Sequence, residues 1–296
     1  MLNIIGRKSI FLTVSAILVG EAVLAMLVFG FRQGVDFTGG TLWQFRITEH
    51  APSLGDLEAF FKTTLNATEV SVTSDLTNGS FLARLPGMNE TDHQRALRAL
   101  ASSFSSFVEM SFQSIGPSVG RELRTNALLA LAFVLVGISL YIAFAFRKVY
   151  RPVSSWKYGL ITLLTLFHDV AIPAGLLAVL GHYGKIEIDG NFIVALLVVM
   201  GFSVHDTIVV FDRIRENLFL DRGKTNFPFL VNQSVNQTMA RSVNTSLTLI
   251  LVLLAVYFSG PATLHYFVLT LLVGVITGIY SSIFVASPLL VLWQAQ

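Results

Sequence analysis

Asn191-FIVALLVVMGFSVHDTIVVF-Asp212 is an apolar run with a single carboxylate, Asp206, set inside it. The run is long enough to cross a bilayer, whose hydrocarbon core takes about 20 apolar residues of helix. A carboxyl group at that depth costs several kcal/mol unless it is paired, hydrated or protonated, so it marks a working position. The run exits into Asp212-RIRE-Asn217, a charged helix end, and the next apolar segment opens on Arg241. An acid and a permanent cation at the mouths of consecutive membrane helices point to ion or proton movement.

Composition agrees with a membrane chain. Hydrophobic residues make up 53% and charged residues only 13%, where soluble domains carry about a quarter, and the mean hydropathy is +0.68. The absence of cysteine excludes disulfides, thiolate metal sites and cysteine nucleophiles. Arg7 and Lys8 precede an apolar run too long for a signal-peptide core and lacking a small-residue cleavage site, so it reads as a retained signal anchor. No basic stripe suited to nucleic acid is found.

Six segments have the length and apolarity of spans: Ile10–Phe31, Ala127–Phe146, Tyr158–Leu180, Phe192–Phe211, Met239–Phe258 and Phe267–Leu290. The sixth contains Gly274-x-x-x-Gly278, a close-packing signal of low specificity. Arg7, Lys8, Arg147, Lys148, Arg151, Lys157, Arg213, Arg215, Arg222, Lys224 and Arg241 all fall on one side, whereas the opposite short loops hold only Lys185. By the positive-inside rule both termini are cytoplasmic and the long first loop lies outside.

That loop, 32–125, reads as a domain between an N-terminal anchor (1–31) and the remaining five spans (126–296), with cytoplasmic loops at 147–157 and 212–240. Thr41-LWQFRI-Thr48 alternates as a strand does, and Ser53-LGDLEAFFKTTL-Asn66 repeats Leu57, Phe60, Phe61 and Leu65 at helical spacing. Glu69-VSVTS-Asp75 and Ser80-FLARL-Pro86 flank Asn78-Gly79, a hairpin signal. Asn89-ETDHQRALRALASSF-Ser105 is a capped amphipathic helix, and Phe107-VEMSFQSI-Gly116 a fourth strand. The order βαββαβ is that of a ferredoxin-like α+β domain. The predicted architecture is an α-helical polytopic membrane protein with one such extracytoplasmic domain between helices 1 and 2.

Each polar group in the spans has a chemical and a structural reading. Asp206 paired alternately with Arg241 and a proton is a workable carrier; the same pair held static would only tie two helices together. Arg213 and Asn217 share its helical face. Thr245 and Thr248, on one face with Arg241, either hold a file of waters or back-bond to their own helix. Asp169, beside His168 and deepest in the chain, is a second relay group or a tether. His205 titrates near neutrality in water, or simply faces a neighbouring helix. Glu21 is expected to face the bundle, with nothing to supply its partner. A metal site is disfavoured for want of an i,i+4 ligand pair, and no cofactor is expected. An aspartyl-protease dyad of Asp169 and Asp206 is a distant alternative. The paired Gly39 and Gly40, and Gly116, Pro117 and Gly120, read as turn chemistry or as stalks between loop domain and bundle.

Together, Gly34-VDFTGG-Thr41, Ser114-IGPSVGREL-Arg124, Phe167-HD-Val170, Gly201-FSVHDTIVVFDRIRE-Asn217 and Arg241-SVNTSL-Thr248 resemble the SecF family, the smaller membrane subunits of bacterial SecD–SecF protein-export complexes in the resistance-nodulation-division superfamily. The resemblance covers nearly the whole chain in order. It implies a cytoplasmic-membrane protein beside a SecY-type channel that uses the proton gradient, with a SecD-like partner, to draw unfolded preproteins outward. It also implies that Asp206 is the proton-path acid, Arg241 its partner and Thr245 the hydroxyl one turn on. His205 stands where the family usually has an amide, and Leu249 where it has a threonine. A non-conducting scaffold of the translocase is the other reading, and drug efflux is disfavoured by the small single loop domain.

Overall fold

The computed structural model describes residues 1–48, 52–65, 67, 69–75, 79–104, 106–147, 153–184, 186–221, 224–261 and 264–294. Asn78 of the expected hairpin turn, and Lys148, Arg151, Lys185 and Arg222 of the charge count, lie outside the described residues. The chain divides into two compact units, Gln33–Ala127 and Met1–Arg32 with Leu128–Gln296.

The first of these is built on a four-stranded sheet. A short helix α2 (Val35–Thr38) leads into β1 (Gly40–Ile47), followed by α3 (Leu54–Leu65), β2 (Ser71–Asp75), β3 (Ser80–Leu85), α4 (Glu90–Ser103) and β4 (Phe107–Ile115). Strand order is β2-β3-β1-β4 with every neighbouring pair antiparallel, so the two βαβ crossovers interleave. Alternation in β1 sends Trp43, Phe45 and Ile47 to the helical side, where Leu57 and Phe61 of α3 and Ala96 and Leu100 of α4 close the core. Asn89 caps α4 by accepting from Asp92 N at 2.8 Å. Beneath that helix a buried His93 meets Glu109 of β4 at 2.8 Å and stacks on Phe112.

Gly39, which ends α2, and Gly40, which begins β1, have φ +78° and +132°, where only glycine sits without strain. Their neighbour is the start of α5 (Pro117–Ala145). A Cβ on Gly39 would lie 2.7 Å from Pro117 Cα, and one on Gly120 would lie 2.8 Å from Gly39 N. The two glycine motifs, far apart in sequence, therefore pack backbone against backbone. Pro117 opens the helix, as its fixed φ and missing N–H favour, so 117–126 is helical rather than a turn before the span.

The other unit holds α1 (Lys8–Phe29, after a 3-10 turn Ile5–Arg7), most of α5, α6 (Ser155–Gly184), α7 (Gly190–Asp221), α8 (Phe227–Ser259), α9 (His265–Ser281), a π-helical segment Ser282–Ala286 and α10 (Ser287–Gln294). Among the described residues six helical stretches are long and apolar enough to cross a membrane: Ile5–Phe29, Pro117–Ala145, Ser155–Gly184, Gly190–Asp221, Phe227–Ser259 and His265–Gln294. About half or more of each apolar window is buried in α6, α7 and the last stretch, against under a fifth in α1, α5 and α8. The core is thus α6, α7 and α9, with the others laid around it.

The 212–240 segment was expected as a loop, yet α7 runs on to Asp221 and α8 starts at Phe227. Polar contacts between the two helices explain the extension. Arg213 donates to Gln237 and to Glu216, each at 2.6 Å. Asn217 donates to Ser234 at 2.7 Å and to Gln237 at 2.9 Å. Asn232 and Asn236 of α8 also grip the N-terminus. Asn232 Oδ1 accepts from Ile4 N and Ile5 N at 2.9 and 3.1 Å, and Asn236 Oδ1 from Leu2 N at 2.7 Å. Ile4 and Ile5 are thereby seated in an apolar cluster with Tyr158, Phe211, Val231 and Leu290.

Candidate functional site

Close helix packing brings the polar residues together. A Cβ on Gly274 of α9 would strike Val199 of α7, and one on Gly278 would lie 3.2 Å from Ser203 Cβ. The Gly-x-x-x-Gly signal is therefore an α7–α9 contact, and it lays Ser203 and Ser281 beside α6.

Asp169 sits where these three helices meet, fully buried. Its Oδ2 accepts from Ser203 Oγ, and from Ser281 Oγ at 2.7 Å. Its Oδ1 lies 2.8 Å from His168 Nδ1. The imidazole stacks on Tyr280, whose hydroxyl donates to Phe11 O of α1 at 3.0 Å. His168 Nε2 is buried with no hydrogen-bond partner among the described residues. One turn along α7, Thr207 and Ser282 share a 2.9 Å hydrogen bond, at the start of the π segment. Of the two sequence readings of Asp169, the tether is the one with contacts: it ties α6 to α7 and α9.

Asp206 is also buried, 2% exposed, but differently held. Its Oδ2 accepts from Ser246 Oγ of α8 at 3.3 Å. Ser242 Oγ, one turn before Ser246, is buried with no hydrogen-bond partner among the described residues. The expected Asp206–Arg241 pair is not made. Arg241 is exposed, as are Asn244, Thr245 and Thr248 on the same face of α8, and His205 on α7. The reason is helical phase: Ser242 and Ser246 point inward from α8, so the residues next to them in sequence point outward. Thr245 and Thr248 donate to Arg241 O and Asn244 O at 2.9 and 2.8 Å, the back-bonded alternative. Arg213 and Asn217, on Asp206's side of α7, are engaged with α8 and Glu216 instead. Among the described residues no lysine or arginine lies within ion-pair distance of Asp169 or Asp206, and no hydrogen bond joins the two acids.

Glu21 corrects a second expectation. It is exposed on α1, because Ser15, Ala22 and Ala25 form the packed face; Gly175 of α6 lies so close that a Cβ there would meet Ala22.

Ser203, Ser246, Ser281 and Ser282, the residues that hold the two acids and their layer, were not singled out from the sequence. A serine in an apolar helix at i, i±3 or i±4 from an acid on a neighbouring span was the available signal, and it needs the helix pairing first.

The arrangement is one acid locked by hydroxyls and a neighbouring imidazole, a second acid held by one hydroxyl, and an outward polar stripe of Arg241, Asn244, Thr245 and His205. A family profile described as the C-terminal region of the protein export membrane proteins SecD and SecF matches residues 96–296, and a SecD/SecF GG-motif profile matches residues 24–46. The protein translocase subunit SecF of Thermobaculum terrenum is 43% identical over 99% of this chain and 94% of its own length. That of Anaerolinea thermophila is 35% identical over 100% of this chain and 95% of its own length. Among solved structures, SecDF from Thermus thermophilus, described as a translocon-associated membrane protein, superposes with a TM-score of 0.84 at 35% identity. It covers 100% of this chain, which spans only 39% of that longer one. The chain therefore belongs to the SecD/SecF family of protein export membrane proteins, as a polytopic membrane protein with a role in Sec protein export.

Proposed function

We propose that the chain is a proton-motive-force-driven accessory subunit of the Sec translocase, promoting preprotein export across the bacterial cytoplasmic membrane together with a SecD-like partner. The observation that carries this is the separation of Asp206 from Arg241. The acid is buried beside two serines, while the guanidinium, Thr245 and His205 lie on the outer surface of the same helix pair. A guanidinium inside a span is costly against lipid, so in this reading a second bundle covers that stripe; a relative named protein translocase subunit SecDF, of which this chain covers 37%, is long enough to carry one.

In this reading a proton reaching Asp206 neutralises it, and its loss restores a charge that draws Arg241, His205 and the partner's groups inward. Asp169 takes part as the fixed point about which α7 and α9 move. The electrical drive is about 2.3 kcal/mol per charge per 100 mV, enough to bias two states close in energy. Gly39, Gly40, Gly116, Pro117 and Gly120 pass the change to the loop domain, which sits outside with both termini cytoplasmic. A SecY-type channel and the emerging unfolded preprotein are the downstream partners.

The test is Asp206→Asn and Arg241→Met in proteoliposomes containing the SecD-like partner. Each abolishes gradient-stimulated export while the complex still co-purifies; an unchanged proton current in Asp206→Asn refutes the reading. The scaffold alternative has one observation in its favour, the Asp169 carboxylate with both oxygens hydrogen-bonded. It demands that both substitutions act only by lowering the melting temperature.

A further inference from the structure

Glu21 lies in the middle of a span and has no polar partner among the described residues. It is eight residues from the Phe29 end of α1, about 12 Å at 1.5 Å per residue, and farther from Arg7. A glutamate side chain cannot bring its carboxyl group from there to water at either end. It is exposed, and among the described residues it makes no hydrogen bond or ion pair. Ionised or not, a carboxyl group facing hydrocarbon leaves its donors and acceptors unmatched, which is costly at that depth.

A second feature lies on the adjoining flank of the helix, about 100° round from the acid, and is independent of it. Thr13, Ala16 and Gly20 are all exposed, and a Cβ added to Gly20 would have nothing within 4 Å. Small residues three and four apart in a span let another backbone approach closely. Leu24 and Leu27, 60% and 79% exposed, extend the face. It is also separate from the polar stripe of α8: beyond its first turn α1 packs on α6 and the π segment, whereas α8 packs on α7 and α9.

We propose that this face of α1 docks a transmembrane helix of a second polypeptide, one that presents a lysine or arginine at the depth of Glu21. Charge complementarity sets the chemistry: a lone carboxylate on an otherwise apolar surface selects a basic partner, and the small residues set the close approach. The proposal does not depend on the proton-carrying role of Asp206.

The test is a photo-reactive residue at Leu24, one turn from Glu21, in the full chain expressed in membranes. The expected result is a discrete adduct whose mapped peptide lies in a transmembrane segment of another protein carrying a lysine or arginine. Adduct yield falls about fivefold or more in Glu21→Leu, the loss of roughly one interhelical hydrogen bond, and Glu21→Gln retains most of it. Replacing the partner's basic residue by glutamate abolishes the adduct, and Glu21→Lys in this chain then restores it. Adducts with lipid alone, with a second copy of this chain in a mixed-tag experiment, or with yields indifferent to Glu21→Leu overturn the proposal.

Discussion

Ser281 on α9 and Asp169 on α6 are joined by a 2.7 Å hydrogen bond in which the serine hydroxyl donates. Ser203 of α7 donates to the same carboxylate oxygen. One fully buried acid thus accepts from two other helices, and the consequence is stability. Asp169→Ala leaves Ser203 Oγ and His168 Nδ1 unmatched, Ser281 keeping Gly278 O at 3.1 Å, and is expected to cost about 2–4 kcal/mol. Ser281→Ala removes one donor and costs about 1 kcal/mol. Asp206→Asn, with a single hydroxyl contact to disturb, costs less than about 1 kcal/mol. Thermal unfolding in detergent ranks the three; equal losses for Asp169→Ala and Asp206→Asn contradict the assignment.

Gly120 tests the backbone contact between the glycine motifs. Its Cβ would press on Gly39 N and on Phe37 C at 3.2 Å, both main-chain atoms that cannot turn aside. Gly120→Ala is therefore expected to cost about 1–3 kcal/mol. Gly55→Ala meets only Ser53 Oγ at 3.8 Å and serves as the control. Hydrogen exchange at the β1 amides of the full chain reads the effect. Protection unchanged in Gly120→Ala would mean that the two segments separate freely.

Glu90, in the first turn of α4, gives a dependence on pH. Gln94 Nε2 donates to its Oε1 at 2.7 Å, and His93 lies 3.5 Å away. The amide first, and the imidazole after it, hold this carboxyl below its usual range. The ionised form is thus favoured by folding, so its contribution is present above the ordinary carboxylate range and fades as pH falls through the lowered one. Glu90→Gln should lower the loop unit's stability slightly at neutral pH and flatten the acid side of its profile, leaving it unchanged below the lowered range. Exchange rates at Trp43, corrected for intrinsic pH dependence, provide the measurement.

Much of the bundle was legible because period and length act locally. Each span was set by a run of apolar residues, and the βαββαβ order by alternation in segments such as 41–48 and the cap at Asn89. Helix ends were not, because α7 and α8 are prolonged past their apolar runs by Asn217, Ser234 and Gln237, which signal only in pairs. The acids were found by their cost in lipid, but their partners were hidden. Serine carries little hydropathy of either sign, so Ser203, Ser246 and Ser281 are silent until the helices are matched. Direction failed twice for one reason: composition places Glu21 and Arg241 in spans but says nothing of helical phase, and both point outward.

The grip of Asn232 and Asn236 on Leu2, Ile4 and Ile5 has a bearing on how the chain is made. Leu2 and Asn236 are 234 positions apart. At about 5–20 residues per second a ribosome spends roughly 12–47 s between them. Residues 2–5 are thus made well before the asparagines that seat them. Ile4 and Ile5 wait unsheltered until the fifth span has been threaded into the bilayer.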